Sequence, residues 1–233
     1  MTSGFAGSPR LLKGALVVYA SHDPGSQAKI IPFQYNPDQL NRTLARRTPP
    51  SSSGSTGGAQ EDVLRVEGPP VETIKLSVVL DAADQLAEPT RNAAVRDNGL
   101  HPALATLELL LYPASEQLRE GEKKIKAGAV QITSGQLPLT LLVWGRSRVV
   151  PVLLTSFSIA EQAFDPRLNP IRAKVDLGLQ VLTSMELREE TQGAMAFGTY
   201  HERKEELARL HASPGDQEAE LKELLPKAKG KGV

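Results

Sequence analysis

The chain contains no cysteine. Disulfides and thiolate metal sites are excluded, so the fold is held by burial and hydrogen bonding in any redox compartment. Neither charge is in excess, with 27 Lys plus Arg against 27 Asp plus Glu. No net field draws the protein toward nucleic acid or a membrane surface. No apolar run approaches the ~18 residues of a membrane span, and the N-terminus lacks the charged-then-apolar pattern of a signal peptide. Both points indicate a soluble protein made in the cytoplasm. Aromatic residues are few, at 4% of 233, which leaves little with which to stack unpaired bases.

Catalytic patterns are also missing. There is no P-loop and no G-x-G-x-x-G. The G-x-S-like strings sit in turn-like sequence, not between a strand and a helix. The four histidines, His22, His101, His201 and His211, have no spacing that would place several on one metal. Asp81, Asp84, Glu88 and Asp97 form no paired-carboxylate pattern, and Asp23, Asp165 and Asp176 each suit a turn or a solvated face. No nucleophile, base and orienting group can be assembled. The expectation is a protein that is not an enzyme and holds neither metal nor cofactor. Arg42, Arg46 and Arg47, and the pair Arg146 and Arg148, could meet phosphates. With no net charge and few aromatics, solvated loops or salt bridges between subunits explain them better.

What the chain does contain is concentrated between Val149 and Leu187. Ile171, Ala173, Val175, Leu177, Leu179 and Val181 alternate with Arg172, Lys174, Asp176, Gly178 and Gln180. A period of two over this length is a half-buried β-strand. Val149 to Ile159 is a second extended run rich in β-branched residues. Asp165-Pro166 and Asn169-Pro170 punctuate the segment between them. The pattern predicts a long antiparallel hairpin with a structured tip at 161–170, fixed by Phe164 and the Asn169-Pro170 corner.

The length suits one domain with tails. Residues 1–10 read as a flexible arm. Leu11–Tyr19 and Lys29–Tyr35 read as a first hairpin around a turn at Ser21–Ser26, with Pro32 demoting the second strand to an edge. A loop of about 38–70 contains a Pro/Ser/Gly run that cannot bury enough apolar area to offset its ordering entropy, so 45–68 is expected to lack regular structure. Val71–Leu80 alternates, and Asp81–Asn98 is partly helical. His101–Tyr112 is the best helix candidate, with Pro102 in the first turn, a stripe of Leu100, Leu104, Leu107 and Leu111, and Pro113 as its stop. Glu116–Gly128 reads as a charged mobile connection and Leu137–Trp144 as a strand. Gly145–Arg148 makes a tight turn into the central hairpin. The extension at 188–233 reads as a loop over Glu189–Gly198, a charged helix over Thr199–Ala212, and a basic tail. The fold class is mainly β with one packed helix: two antiparallel sheets in a sandwich, or a small open barrel.

Two strings carry a resemblance. Ile31-Pro-Phe-Gln-Tyr-Asn-Pro37 near the start, then Pro151–Ile159, Phe164-Asp-Pro166 and Asn169–Ala173 in the hairpin, resemble the tube-type proteins of contractile injection systems, phage-tail-like machines. The similarity spans about Leu11 to Leu187 and is nearest to the baseplate proteins that adapt tube to spike. It implies the tube fold, with six protomers in a ring whose long hairpins join in one β-barrel around a channel. Assembly-interface candidates are then Phe33, Tyr35, Asn36, Pro37, Arg46, Arg47, Phe164, Asp165, Asn169 and Pro170. Arg172, Lys174, Asp176 and Gln180 would face the channel, and the loop at about 38–70 would order against an adjacent protomer in place of staying a flexible linker. Implied partners are further copies of the chain, the inner tube protein, the spike or hub and other baseplate subunits, with no membrane and no nucleic acid. The protein would be carried in an injection particle, inside the cell or released. Adaptor proteins of this kind often continue into a peptidoglycan-binding module, whereas here a charged helix and lysine-rich tail follow, which gives cell-wall binding no support. Tube, tube-initiating ring and spike adaptor all stay open, and the alternative is a monomeric β-barrel module for a small ligand or nucleic acid.

Overall fold

The computed structural model describes residues 12–20, 27–47, 64–127 and 135–211. The arm at 1–10, the turn at Ser21–Ser26 and the basic tail lie outside them. Seven strands form one antiparallel sheet: β1 (Ala15–Tyr19), β2 (Ala28–Pro32), β3 (Leu40–Ala45), β4 (Val71–Asp81), β5 (Leu139–Val143), β6 (Val149–Phe164) and β7 (Pro170–Val181). Their order is β2-β1-β5-β6-β7-β4-β3, with β2 and β3 as edges. The expected mainly-β open architecture is therefore present, as one continuous sheet in place of two.

That sheet is folded over on itself. Strand β5 pairs with β6 only over 149–152, whereas β7 pairs with β6 from Val152 to Phe164. β6 thus joins two halves, β2-β1-β5 and β7-β4-β3. In register Gly14 lies beside Ala15 and so near Val149, while Asp81 lies opposite Arg172 and so near Gln162. On a flat sheet these ends would be roughly 40 Å apart at 3.3 Å per residue. Yet Phe33 bonds to the Gly14 carbonyl at 2.8 Å, and the next residue, Gln34, exchanges two hydrogen bonds with the Asp81 backbone at 2.7 and 2.8 Å. Only a strongly coiled sheet brings them together.

The bend uses a β-bulge at Thr155. Before it, Val150, Val152 and Leu154 face the core, and after it Phe157 and Ile159 do. One extra residue resets the alternation from even to odd positions. On β7 the predicted alternation holds: Ala173, Val175, Leu177, Leu179 and Val181 are buried. The valines and leucines among them are worth about 1.5–3 kcal/mol apiece. Leu100, Leu104, Leu107 and Leu110 complete the same core from the helical side.

Several elements differ from the sequence expectation. Strand β1 starts at Ala15, and β6 runs on to Phe164, leaving a tip of only 165–169. Leu40–Ala45 is a strand, inside the loop expected over about 38–70. Of the 45–68 segment, 48–63 lies outside the described residues. Five helices are described: α1 (Ala83–Ala87) and α2 (Ala93–Asn98) in the partly helical Asp81–Asn98 stretch, α3 (His101–Glu108) at the best helix candidate, α4 (Ser115–Lys126), which was not expected, and α5 (Gln192–Arg209), which includes most of the expected charged helix. A 3-10 turn at Leu109–Leu111 tightens the end of α3, which buries Leu110 and leaves Leu111 outside. The charged run is helical over Ser115–Lys126, because Glu, Gln, Lys, Arg and Leu are good helix formers even where nothing is buried. Its acid at the start and lysines at the end suit the helix dipole. The loop expected at Glu189–Gly198 is overtaken by α5, whose first turn is capped by Thr191 accepting from Ala194 N–H at 3.2 Å.

Candidate functional site

The coiled sheet has a core face and a concave polar face. Strand parity sets the second one: Thr73, Lys75, Ser77, Val79 and Asp81 on β4 lie beside Gln180, Gly178, Asp176, Lys174 and Arg172 on β7. Ser156 and Ser158 on β6 continue the row. The part of this face formed by 75–81 of β4, 172–177 of β7 and the two β6 serines lines, with the 35–39 segment and Asn41, a concavity of about 870 Å3. Four of its charges pair within the chain. Arg172 lies 3.9 Å from Asp81 and Lys174 lies 3.6 Å from Asp176, which also accepts from the Ser77 hydroxyl. Arg172, Lys174 and Asp176 are thus brought together. Gln180 lies on the same face further along, half-buried beside Thr73 and Leu153.

The hairpin tip is built around Asp165. Its carboxylate accepts from Arg167 N–H at 2.7 Å, Asn169 N–H at 2.8 Å and the Asn169 side-chain amide at 2.9 Å. The Asn169 amide leads in holding the Asp165 carboxyl below the usual aspartate range. The tip rests on the α2–α3 junction: Pro170 O accepts from Leu100 N–H at 2.8 Å, and Arg167 donates to Arg96 O at 2.5 Å. Gly99, at φ +56, leaves room there, since a Cβ would come within 2.5 Å of the Pro170 oxygen. Phe164 projects from this tip and is 48% exposed. Leu168 is 78% exposed and sits at φ +65, an uncommon conformation for a leucine.

The N-terminal candidates divide. Phe33 is 2% exposed and packs on Trp144, so it has almost no surface to give to a neighbour. Asn36 braces β1, accepting from Gly14 N–H at 2.8 Å and donating to Leu12 O at 3.0 Å. Tyr35 is exposed at the rim of the concavity with Pro37 beside it. Arg46 is exposed. Arg47 donates to Pro69 O at 2.9 Å and pairs with Glu186. Partial burial pushes the Glu186 carboxyl up, but bonds from Thr183 and Arg47 hold it below its ordinary value.

Three features escaped the sequence. Gln34 ties the two sheet halves together, as above. Gly178 sits opposite the bulge, where a Cβ would meet Ser156 Oγ at 2.1 Å. Glu72 is a buried carboxylate shared by Arg42, Tyr200 and Lys204. Its signal was available: position 72 falls in the apolar phase of Ile74, Leu76, Val78 and Leu80.

Three sheet edges stand open among the described residues: that of β2, that of β3 and that of the distal half of β6. Among the described residues no strand pairs with the outer side of β3, and none with the outer side of β6 beyond Val152. From Thr155 to Phe164 no β6 residue is buried, and Phe157 and Ile159 are only half-covered. Among the described residues no group of three or more His, Asp or Glu converges as a metal site, and no helix is long and apolar enough to cross a membrane. The family model described as contractile injection system tube protein matches residues 10–190. No curated protein matches the chain.

Proposed function

The chain belongs to the contractile injection system tube protein family, and from that premise we propose that it forms a hexameric ring connecting the inner tube to the spike and baseplate. As a member of the family it is a structural subunit of the system and assembles with other components of it. The ring and its place between tube and spike are our reading, as is a structural rather than catalytic part.

Two of the open edges, those of β3 and of the distal half of β6, carry this reading. The distal half of β6, with β7, β4 and β3, makes a four-stranded stave. Strand directions alternate across it, so the β3 of one protomer is antiparallel to the β6 of the next. Edge-to-edge joining then continues the antiparallel ladder around a closed ring and removes exposed edges that invite aggregation. The stave would turn its concave polar face toward the channel, where Arg172, Lys174, Asp176 and Gln180 stay hydrated. Phe157 and Ile159 would finish their burial against the neighbour. Tyr35, Arg46 and the tip around Phe164 are the exposed candidates for further contacts between subunits.

Native mass measurement with electron microscopy tests the ring. The expected result is a closed hexamer, alone or on adding tube and spike proteins, seated at the end of the tube. A monomer that stays monomeric with those proteins present would refute it, and ligand binding by that monomer would favour a barrel-type binding module instead.

A further inference from the structure

Glu72 is the one carboxylate of the described core, its side chain only 4% exposed. A buried ionised group is costly unless it is paired and hydrogen-bonded. Here the pairing is complete. Arg42 on β3 donates from Nε at 2.7 Å and approaches with Nη2 at 2.6 Å. From α5, the Tyr200 hydroxyl lies 3.3 and 3.4 Å from the two oxygens, and Lys204 Nζ lies 3.3 Å from one of them. Arg42 also donates to the Tyr200 oxygen at 2.9 Å, which directs the phenol proton to Glu72. Lys204 sits 4.0 Å from the Tyr200 ring centroid, so residues four apart on one helix face act together.

This cluster joins three elements, and one of them is poorly specified by burial. β3 reads Leu-Asn-Arg-Thr-Leu-Ala and buries no residue fully. Strands with few apolar contacts are prone to slip in register, and a one-residue slip sends every side chain to the opposite face. In the observed register Arg42 lies opposite Ile74, between Leu40 and Leu44 on the core side. A slip would carry the guanidinium to the concave face and leave Glu72 without its main partner. The helix that supplies the other partners, α5, begins at Gln192, beyond the family-matched residues 10–190.

We propose that Glu72, Arg42 and Tyr200 form a register lock, through which helix α5 of the C-terminal extension holds β3 in the one register that can accept a neighbouring protomer. The importance of β3 to assembly rests on the ring reading, but the lock itself is a property of the single protomer. These are positioning residues. Their part is to fix the edge, and other residues make the contacts between subunits.

The test is amide exchange of the full chain as a monomer, comparing wild type with Arg42→Met, Tyr200→Phe and the control Arg203→Met, which removes an exposed α5 pair to Glu206. In Arg42→Met, exchange over residues 40–45 should rise roughly tenfold or more, as expected for a local opening, while 170–181 stays protected. Tyr200→Phe should move β3 in the same direction by less, and it decides the matter should Arg42→Met fail to fold. Arg203→Met should leave β3 unmoved. Unchanged β3 exchange in the folded lock variants, or an equal loss across the whole sheet, would overturn the lock. Assembly is read separately, with wild type forming rings and Arg42→Met failing to. Rings that form from both despite an opened β3 would also overturn it. A wild type that never forms rings, with β3 opening as expected in the variants, would support the lock and defeat the ring reading alone.

Discussion

Gly178 and Ser156 face each other across the β6–β7 ladder at the bulge, so close that a Cβ on Gly178 would lie 2.1 Å from Ser156 Oγ. The bulge keeps both Leu154 and Phe157 in the core, and the missing side chain on β7 admits it. Gly178→Val should cost about 1–3 kcal/mol, as overpacking does. Gly178→Ala should cost less, because the serine hydroxyl can rotate, and Ser156→Ala should relieve part of it. Urea unfolding of Gly178→Val and Gly178→Ala, each alone and combined with Ser156→Ala, checks this, and a valine tolerated at no cost would show that the bulge does not need the glycine.

The two faces of β7 give the second prediction. Lys174 is 49% exposed on the concave side, and Leu177 is 2% exposed on the other. Lys174→Glu should leave folding within about ±0.5 kcal/mol, as is usual for exposed positions. Leu177→Glu should abolish soluble expression, because it buries an unpaired charge. Soluble yield and thermal melts of both variants make the comparison.

Phe164 should separate stability from assembly. Its half-exposed ring adds little to the isolated protomer, so Phe164→Ala should cost roughly 1 kcal/mol or less, well under the loss of a fully buried phenylalanine. If the tip contacts a neighbour, the same change should lower the yield of rings. Urea melts of the monomer alongside native mass spectra read the two effects independently.

Acid should loosen the protein through its paired glutamates. Burial pushes the Glu72 carboxyl up, but the Arg42 hydrogen bond and the charge of Lys204 outweigh it and hold it below its ordinary value. Glu186 is lowered in the same way by Thr183 and Arg47. In the unfolded chain both return to about 4.3. The folded state therefore binds fewer protons in acid, and stability rises with pH across this window. The contribution is fully present above the unfolded value and is lost as pH falls through the lower folded one. Melting temperatures between pH 7 and pH 3 should drop less steeply for Glu72→Gln than for wild type, and parallel curves would refute the assignment.

Much of the fold was legible where one face of an element is buried. Ala173 to Val181 alternate without a break, and Leu100, Leu104 and Leu107 repeat at helical spacing, so both were readable from local pattern. Elements that bury little left no such trace. β3 and α4 carry no buried residue, and Gly193 and Gly198 obscured the helix whose Tyr200 reaches the core. The coiling of the sheet rests on contacts such as Gln34 with Asp81, 47 residues apart, which no local period encodes. Within the candidate site, the polar face followed from the register of β7. The buried Phe33 and the Glu72 cluster depended on partners distant in the sequence.

The central claim is that the open edge of β6 meets β3 of the next protomer. The chain has no cysteine, so a pair can be introduced cleanly. Thr43→Cys would be combined in turn with Ser156→Cys, Ser158→Cys and Ala160→Cys, all on the concave side. Within one protomer β7 and β4 lie between these positions, a separation of roughly 14 Å at 4.8 Å per strand spacing. A disulfide inside the chain is excluded, since bridged Cα atoms lie within about 7 Å. Under mild oxidation at least one pair should give a ladder of covalent multimers that ends at a closed ring. Monomer alone from all three pairs, under conditions where the protein assembles, would contradict the account.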